Sequence, residues 1–295
     1  MGHPAPEEGG APRRALVVCG PTAAGKSSLA DGLAASLSEE WGGWVPTLVV
    51  DSMQVYEEIP ETTNQRRERP AELVGVVSVE DEWTVALHKR RAEGLIGGLG
   101  DGWPFVLDAG TGMYLNAIVL GLPLAPKASD EARREAIRAS AGAANPRRAA
   151  REEELRLEGA PERGSVWSGS PMYGASFVYL RPPREALDLR IAGRSRQIVR
   201  RGEAEGRTLN AMDPNPSVRQ AVGPKEMMRL ASGDVSRQEA EEKIAARTRR
   251  LARRQMRWFD KLMRALPAGT ERAIVETAED PAIKHIMHDI MCSWS

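Results

Sequence analysis

The sequence predicts an α/β fold, a doubly wound parallel sheet that binds phosphate and carries a small helical insertion. Three observations predict it. Short apolar runs alternate with helical patterns along the chain, which is typical of right-handed βαβ units. The runs are apolar at consecutive positions, as strands buried on both faces of a parallel sheet are. The first run is followed by the glycine-containing sequence Gly20-Pro-Thr-Ala-Ala-Gly-Lys-Ser27.

The elements of the core follow in order. Residues 15–19 (ALVVC) predict the first strand, and a helix from Ser27 to about Leu37 places Leu29 and Leu33 on one face with Leu37. The other predicted strands are at 45–50, 104–107 and 176–180. The other predicted helices are at 83–99, 183–201 and 236–266, and one more follows residues 110–112 and ends near 121.

Three further segments differ from the core, which we assign to residues 14–124 and 172–266. Residues 1–13 are rich in Pro, Gly and Glu and predict a flexible tail, not a signal peptide. Residues 125–171 are rich in Ala, Arg and Glu and predict a helical insertion. Residues 267–295 predict a weakly structured C-terminal tail.

The composition excludes several classes of protein. The 295 residues are 41% hydrophobic and 28% charged, the balance of a soluble globular protein. Their formal net charge is zero, so nucleic-acid binding would need local clusters of positive charge. Two distant cysteines exclude a disulfide framework and a zinc site, and no run approaches the ~20 apolar residues of a membrane span. We expect a cytoplasmic monomer that binds no membrane.

Residues 20–27 match G-x-x-x-x-G-K-[ST] between a strand and a helix, the context that a P-loop needs. Its backbone N–H groups and the helix N-terminus favour phosphate oxygens. Lys26 adds a positive charge, and the hydroxyl of Ser27 can bind Mg²⁺. Asp108, at the end of a buried strand, resembles the carboxylate that holds Mg²⁺ in nucleotide hydrolases.

Four segments resemble one family in their order along the chain. They are Gly20–Ser28 (GPTAAGKSS), Asp51–Tyr56 (DSMQVY), Gly110–Leu115 (GTGMYL) and Arg247–Phe259 (RTRRLARRQMRWF). Together they resemble the P-loop tRNA dimethylallyltransferases, also called tRNA isopentenyltransferases. The resemblance implies transfer of a dimethylallyl group from dimethylallyl diphosphate to N6 of an adenine next to the anticodon of tRNA.

The resemblance also implies roles for individual residues. Asp51 would be the general base, and Thr22 and Thr111 would lie at the donor phosphates and the reacting centre. Arg219 would contact the diphosphate opposite Lys26, where a cation stabilises the leaving group. The diphosphate, together with Mg²⁺, would be held by Gly20, Thr22, Ala23, Ala24, Gly25, Lys26 and Ser27. The adenine would be contacted by Ser52, Met53 and Gln54.

Two further segments are expected to bind tRNA. On a helix, Arg247, Arg250, Arg254 and Arg257 form a stripe at three- and four-residue spacing, and such a stripe suits a phosphate backbone. We assign tRNA contact to Arg250 and Arg254 within it. The segment Asn145, Pro146, Arg147 and Arg148 resembles a tRNA-contacting segment of the family.

Some features depart from the family pattern and keep alternatives open. The insertion is shortened, and Pro224 follows Gly223 where an aromatic residue is usual. A shorter insertion fits an acceptor that is a free adenine nucleotide or another small amine. The carboxylate of Asp108 fits a P-loop kinase or NTPase. If the departures mark a loss of catalytic activity, the chain would be a catalytically silent RNA-binding protein.

Overall fold

The computed structural model describes residues 13–294, except residues 123, 125–127, 144–145, 160–164, 168 and 170 and the side chains of residues 146–148. The predicted N-terminal tail therefore lies outside the described residues, apart from Arg13. The strands in the described part are β1 (Arg14–Cys19), β2 (Thr47–Val50), β3 (Pro104–Ala109), β4 (Gly174–Leu180) and β5 (Arg272–Val275).

Twelve helices lie in the described part of the chain. They are α1 (Lys26–Glu40), α2 (Pro60–Thr63), α3 (Val85–Gly97), α4 (Gly112–Val119), α5 (Asp130–Ala139), α6 (Pro146–Leu157), α7 (Arg184–Arg201), α8 (Glu203–Ala211), α9 (Pro216–Arg219), α10 (Pro224–Ala231), α11 (Arg237–Ala265) and α12 (Pro281–Trp294). No helix among the described residues is long and apolar enough to cross a membrane.

The strands form one parallel sheet in the order β2-β3-β1-β4-β5. This arrangement confirms the predicted fold class. In the register of the sheet, Cys19 at the end of β1 lies beside Ala109 of β3, and Val50 at the end of β2 lies on the other side of Ala109. The carboxyl ends of β1, β2 and β3 therefore meet at one edge, where open α/β sheets bind their ligands.

Helices cover both faces of the sheet, which explains why β1 is apolar at every position after Arg14. Leu16 and Val18 belong to the core formed with α1 and α12. Ala15, Val17 and Cys19 belong to the core formed with α3, α4 and α11. All five side chains are fully buried. Burial on both faces removes the alternation of polar and apolar residues that a solvent-facing strand shows.

Helix α11 is amphipathic over its whole length. Ser236 caps it by accepting a hydrogen bond from the Glu239 N–H, and the Glu239 carboxylate accepts one from the Ser236 N–H, the reciprocal pattern of a capping box. Its buried side includes Ile244, Ala252 and Phe259, which pack among residues of neighbouring helices and the sheet. The arginines of α11 are thereby directed to the other side of the helix.

The prediction of a weakly structured tail at residues 267–295 is wrong. Strand β5 extends the sheet beside β4, and α12 buries Ile286 and Ile290 in the core that α1 shares. The ring of Trp294 contacts that of Trp41 edge-on, with 6.1 Å between centroids.

Strand β5 has little local signal, because Val275 is its single fully buried residue. Helix α12 does have one that the prediction missed, since Ile283, Ile286 and Ile290 recur at the spacing of one helix face. The order of β5 depends on strand β4, which lies far away along the chain.

Helices α5 and α6 lie between α4 and β4 in the chain, and they pack on each other. Ser129 caps α5 by accepting a hydrogen bond from the Ala132 N–H at 3.2 Å, and it also donates to Glu158 just after α6 at 2.6 Å. Ala136 of α5 and Leu155 of α6 are buried. A hydrogen bond thus joins the start of the first helix to the end of the second.

Candidate active site

The phosphate-binding loop leaves β1 at Cys19 and enters α1 at Lys26. Ala23 and Gly25 both have a positive φ, 63° and 97°. Glycine adopts this conformation without strain, and an alternation of this kind turns successive N–H groups to one side. The loop therefore has the backbone that a phosphate cradle requires. Within the loop, the side chain of Ala24 is buried, and the Ala24 carbonyl accepts a hydrogen bond from Arg190 at 3.0 Å.

Lys26 is held close to this loop. Its ammonium donates a hydrogen bond to the carbonyl of Pro21 at 2.9 Å. Burial lowers the pKa of Lys26, and the nearby Asp108 and Asp51 carboxylates oppose that shift. A cation in such surroundings lacks solvation by water, so an anionic phosphate group is the ligand that it favours.

Asp51 directly follows β2. Its Oδ1 accepts hydrogen bonds from the N–H groups of Met53 at 2.8 Å and Gln54 at 3.2 Å. Burial raises the pKa of Asp51, while these two hydrogen bonds and Lys26 act in the opposite direction. A carboxylate that is fixed in position and has a raised pKa is suited to accept a proton.

The other oxygen of Asp51 faces the turn after β3. A Cβ atom added to Gly110 would lie only 2.8 Å from Asp51 Oδ2, so glycine is required for this close approach. In the next residue, Thr111 Oγ1 accepts a hydrogen bond from the Ser52 N–H at 3.2 Å. These contacts join the two strand ends and fix the orientation of the Asp51 carboxylate.

A cavity of about 440 Å³ lies between the phosphate-binding loop and Asp51. Its walls carry three cationic side chains (Lys26, Arg66 and Arg67) and three anionic ones (Asp31, Asp51 and Glu68). The remaining lining residues are Thr22, Ala23, Gly25, Ser27, Ser28, Gln54, Thr63, Asn64, Gly110 and Gln255. The Gln54 side-chain oxygen is buried without a hydrogen-bond partner among the described residues, so it can accept one from a ligand.

The cavity brings together many of the residues that the sequence predicted. The P-loop residues Thr22, Lys26 and Ser27 line it with Asp51 and Gln54. Ser52, Met53 and Thr111 are bonded to this group through their backbone or side chain and do not line the cavity themselves.

Arg219 is placed differently from the prediction. Its guanidinium donates hydrogen bonds to the Asp213 carboxylate at 2.5 Å and to the Pro214 carbonyl at 2.7 Å, and the side chain is 43% exposed. The arginines that line the cavity with Lys26 are Arg66 and Arg67. The structure thus does not bring Arg219 to the P-loop, and its hydrogen bonds stay within its own segment of the chain.

Asp108 also differs from the expected metal ligand. Its carboxylate lies 2.6 Å from a guanidinium nitrogen of Arg67, and both side chains are almost fully buried. Among the described residues, no group of three or more His, Cys, Asp or Glu side chains is arranged to hold a metal ion. The carboxylate that resembles a magnesium ligand in the sequence is therefore the partner of an arginine.

Several residues of this site were not identified from the sequence, and two of them, Gln255 and Arg67, form hydrogen bonds that organise it. Gln255 of α11 accepts a hydrogen bond from the Thr22 N–H at 2.9 Å and donates one to the Gly110 carbonyl at 2.8 Å. A polar residue on the apolar side of a predicted helix is the signal that could have found it. Arg67 carried no such signal, because residues 64–69 (NQRRER) have the composition of a charged surface loop.

The predicted tRNA-binding residues fall into two groups. Arg250 and Arg254 are exposed on α11, as are Arg253 and Arg257, and no ion pair is formed by these four within the described part of the chain. They are therefore open to contact with phosphate. In the other group, Asn145 lies outside the described residues, as do the side chains of Pro146, Arg147 and Arg148.

Comparison with known proteins identifies the family. The sequence model of the family described as IPP transferase matches residues 54–158 and 142–262. A protein named tRNA dimethylallyltransferase from Rubrobacter xylanophilus is 58% identical over 286 residues, which are 94% of this chain and 98% of that protein. A protein of the same name from Phenylobacterium zucineum is 33% identical over 300 residues, 90% of this chain and 94% of that one.

Solved structures agree with the sequence comparisons. The tRNA isopentenylpyrophosphate transferase of Bacillus halodurans is 26% identical, with a TM-score of 0.68 over 96% of each chain. A eukaryotic dimethylallyltransferase acting on tRNA has the same fold, with a TM-score of 0.71 at 19% identity over 95% of this chain and 80% of that one. These findings confirm the resemblance found in the sequence, and the chain belongs to the IPP transferase family.

Proposed function

We propose that this protein transfers a dimethylallyl group from dimethylallyl diphosphate to N6 of an adenine next to the anticodon of tRNA. One observation carries the proposal. One cavity has a phosphate cradle with Lys26 and Ser27 on one side and the Asp51 carboxylate on the other. Beside Asp51 is the Gln54 side-chain oxygen, which has no hydrogen-bond partner in the described part of the chain. The first side suits a diphosphate, and the second suits an amine that must lose a proton. The names of the relatives in the IPP transferase family support the same reaction.

The proposed reaction needs a base on the acceptor side. The N6 amine forms a bond to the allylic carbon as the bond between that carbon and the diphosphate oxygen breaks. The nitrogen becomes acidic as the new bond forms, and Asp51 takes its proton. Asp51 Oδ1 is fixed by two backbone N–H groups, so the carboxylate can act without reorienting. Gln54 would accept a hydrogen bond from the adenine and so position it.

The donor side must stabilise the charge that collects on the leaving diphosphate. Lys26 and the backbone N–H groups of the loop are the groups that would bind it. The three cationic and three anionic side chains that line the cavity have a formal net charge of zero. A diphosphate therefore needs an additional cation there. We propose that this cation is Mg²⁺, which neutralises phosphate charge when bound. The Ser27 hydroxyl fits it, since Mg²⁺ takes few protein ligands beside substrate phosphates.

The tRNA would lie against α11. The exposed arginines of that helix, among them Arg250 and Arg254, offer a dense row of positive charge to the phosphates of an RNA stem-loop. Gln255 on the same helix reaches the catalytic cavity. The anticodon arm could therefore contact the arginines while one adenine enters the cavity. We also propose that the protein acts as a monomer, since one chain supplies both halves of the cavity. A location in the cytoplasm is part of the same proposal, because the two cysteines Cys19 and Cys292 are both free, as thiols are in a reducing compartment.

The test is a reaction with purified protein, Mg²⁺, dimethylallyl diphosphate and unmodified tRNA, followed by digestion and mass spectrometry of the nucleosides. We expect prenylated adenosine from tRNA, and none from an Asp51→Asn variant. A parallel reaction with AMP separates the acceptors. Product from AMP alone would show that the acceptor is a small nucleotide. If neither reaction gives a prenylated product, and the same protein hydrolyses ATP when ATP is supplied, prenyl transfer is refuted.

A further inference from the structure

Arg67 lies between two buried carboxylates beside the donor side of the cavity. One guanidinium nitrogen is 2.6 Å from Asp108 of β3, and another is 2.6 Å from Asp31 of α1. The Arg67 side chain is 4% exposed, and each aspartate side chain is 2% exposed. A guanidinium stays protonated in proteins, so Arg67 is a buried cation that two carboxylates share.

The same guanidinium reaches the start of the helix after the phosphate-binding loop. It donates a hydrogen bond to the carbonyl of Ser27 at 3.4 Å. Ser27, Asp31 and Arg67 all line the cavity in which the phosphates would bind. Arg67 is thus bonded to the residue whose hydroxyl would hold Mg²⁺, and to a carboxylate one helical turn further along α1.

Asp108 occupies a position where a carboxylate can hold a metal. It lies in β3 next to β1, opposite Val18 in the register of the sheet, and β1 leads into the P-loop. In P-loop hydrolases, Mg²⁺ is bound by the loop Ser or Thr together with a carboxylate at a strand end. Here the Asp108 carboxylate is already paired with Arg67, a cation that it shares with Asp31. A buried carboxylate needs one such partner, because an unpaired buried charge is strongly destabilising.

We propose that Arg67 is a built-in cation of this site, which holds Asp31 and Asp108 in place of a divalent metal ion. Asp108 is consequently not a metal ligand, and Mg²⁺ enters only with the diphosphate, through Ser27 and phosphate oxygens. This division of ligands distinguishes the cavity from that of a P-loop hydrolase. The proposal rests on the proposed function only for the identity of the diphosphate.

The first test asks whether removing Arg67 creates a metal site. The full-length protein, treated with a chelator, is unfolded by heat with and without millimolar Mn²⁺. In Arg67→Met, two carboxylates lose their cation, and we expect Mn²⁺ to raise the melting temperature by about 3 °C or more. The wild type and Arg66→Met, which changes the neighbouring arginine in the same cavity, should shift by less than about 1 °C.

A double variant identifies the ligand. Adding Asp108→Asn to Arg67→Met should abolish the effect of Mn²⁺, because only one carboxylate is left. The proposal is overturned if Arg67→Met folds and does not respond to Mn²⁺. It is also overturned if Mn²⁺ alone stabilises the wild type and Asp108→Asn removes that stabilisation, because Asp108 would then bind metal in the native protein.

A second measurement decides the question if Arg67→Met fails to fold. Asp108→Asn in the otherwise unchanged protein keeps Arg67 paired with Asp31. Titration calorimetry with inorganic diphosphate and Mg²⁺ should give an affinity close to that of the wild type. A loss of about tenfold or more, as expected when a metal ligand is removed, would refute the proposal. Neither measurement uses tRNA or a prenyl donor, so their outcome is independent of whether prenyl transfer is observed.

Discussion

The side-chain oxygen of Gln255 accepts a hydrogen bond from the Thr22 N–H at 2.9 Å, and this bond joins helix α11 directly to the phosphate-binding loop. The amide nitrogen of Gln255 donates to the Gly110 carbonyl at 2.8 Å, next to the Asp51 carboxylate. One side chain therefore connects the phosphate-binding loop with the turn beside Asp51, the proposed base. The same helix presents the exposed arginines to solvent, so a single element positions both the proposed catalytic groups and the proposed tRNA surface.

Replacing Gln255 with Leu should remove both hydrogen bonds while keeping the side-chain volume similar. We expect kcat to fall by about a hundredfold, since a small misplacement of catalytic groups has an effect of that size. Steady-state kinetics with tRNA and dimethylallyl diphosphate measures it. Gln238→Leu changes an exposed glutamine of the same helix and serves as the control. Equal activity of the two variants would show that the Gln255 bonds do not position the site.

Replacing Asp51 with Asn removes the proposed base and leaves an oxygen that can still accept the Met53 and Gln54 N–H groups. We expect the single-turnover rate to fall by about a hundredfold or more. Asp101→Asn, in an exposed turn before β3, is the control. A rate that stays within a few-fold of the wild type would exclude Asp51 as the base.

The pH dependence of the wild type tests the same residue. A base must be deprotonated, so kcat/KM should rise with pH through the pKa of Asp51. Burial raises that pKa above the ordinary value of 3.8, and the acidic limb of the profile should lie correspondingly higher. A profile that stays flat down to pH 4 would contradict this expectation.

The Arg250→Gln/Arg254→Gln double variant should weaken tRNA binding and spare the donor. We expect a higher KM for tRNA and a less steep dependence of binding on salt, by about 0.7 in the log–log slope for each phosphate that the protein no longer binds. The affinity for diphosphate should not change, because neither arginine lines the cavity. Arg264→Gln, near the end of the same helix, is the control. An unchanged salt slope would remove these residues from the tRNA surface.

His88 should make the fold less stable in acid. Its side chain is fully buried and its Nδ1 accepts a hydrogen bond from Trp83 at 3.1 Å, and burial lowers the pKa of His88 from 6.5 to about 4. Below pH 6.5 the unfolded chain binds a proton that the folded chain does not. The free energy of unfolding should therefore fall between pH 6.5 and 4, by about 3 kcal/mol in total.

Urea unfolding at a series of pH values measures this effect. The His88→Asn variant, less stable overall because it packs less well, should show a clearly flatter pH dependence in that interval. His285→Asn, at an exposed position, should retain the dependence of the wild type. If His88→Asn retains it as well, other groups cause the acid sensitivity.

The ordered C-terminal segment can be tested with two isoleucines. Ile290 of α12 is fully buried, and Ile274 of β5 is 56% exposed. Ile290→Ala should lower the free energy of unfolding by about 3 kcal/mol, and Ile274→Ala by less than about 0.5 kcal/mol through packing. Chemical denaturation measures both. Similar small losses would mean that α12 contributes little to the core in solution.

The sequence alone is sufficient to predict four strands of the sheet (β1 to β4), the phosphate-binding loop and the family. Each of these depends on residues that are neighbours along the chain: a continuous apolar run for a strand buried on both faces, and glycines at fixed spacing before Lys26 for the loop. Asp51 could be placed at the site for the same reason, because it directly follows a predicted strand. Such patterns can be recognised in a sequence because the interactions that cause them join residues close along the chain.

The pairing of the charges and the segments that complete the core become visible only in three dimensions. Asp108 has the sequence context of a metal ligand, yet it bonds Arg67, which is 41 residues away. Arg219 was expected at the diphosphate and pairs with Asp213, while Gln255 reaches the P-loop over 233 residues. Strand β5 and helix α12 are ordered by β4 and α1. The free energy of a buried ion pair or an apolar contact depends on the partner and its burial, and the chain order specifies neither.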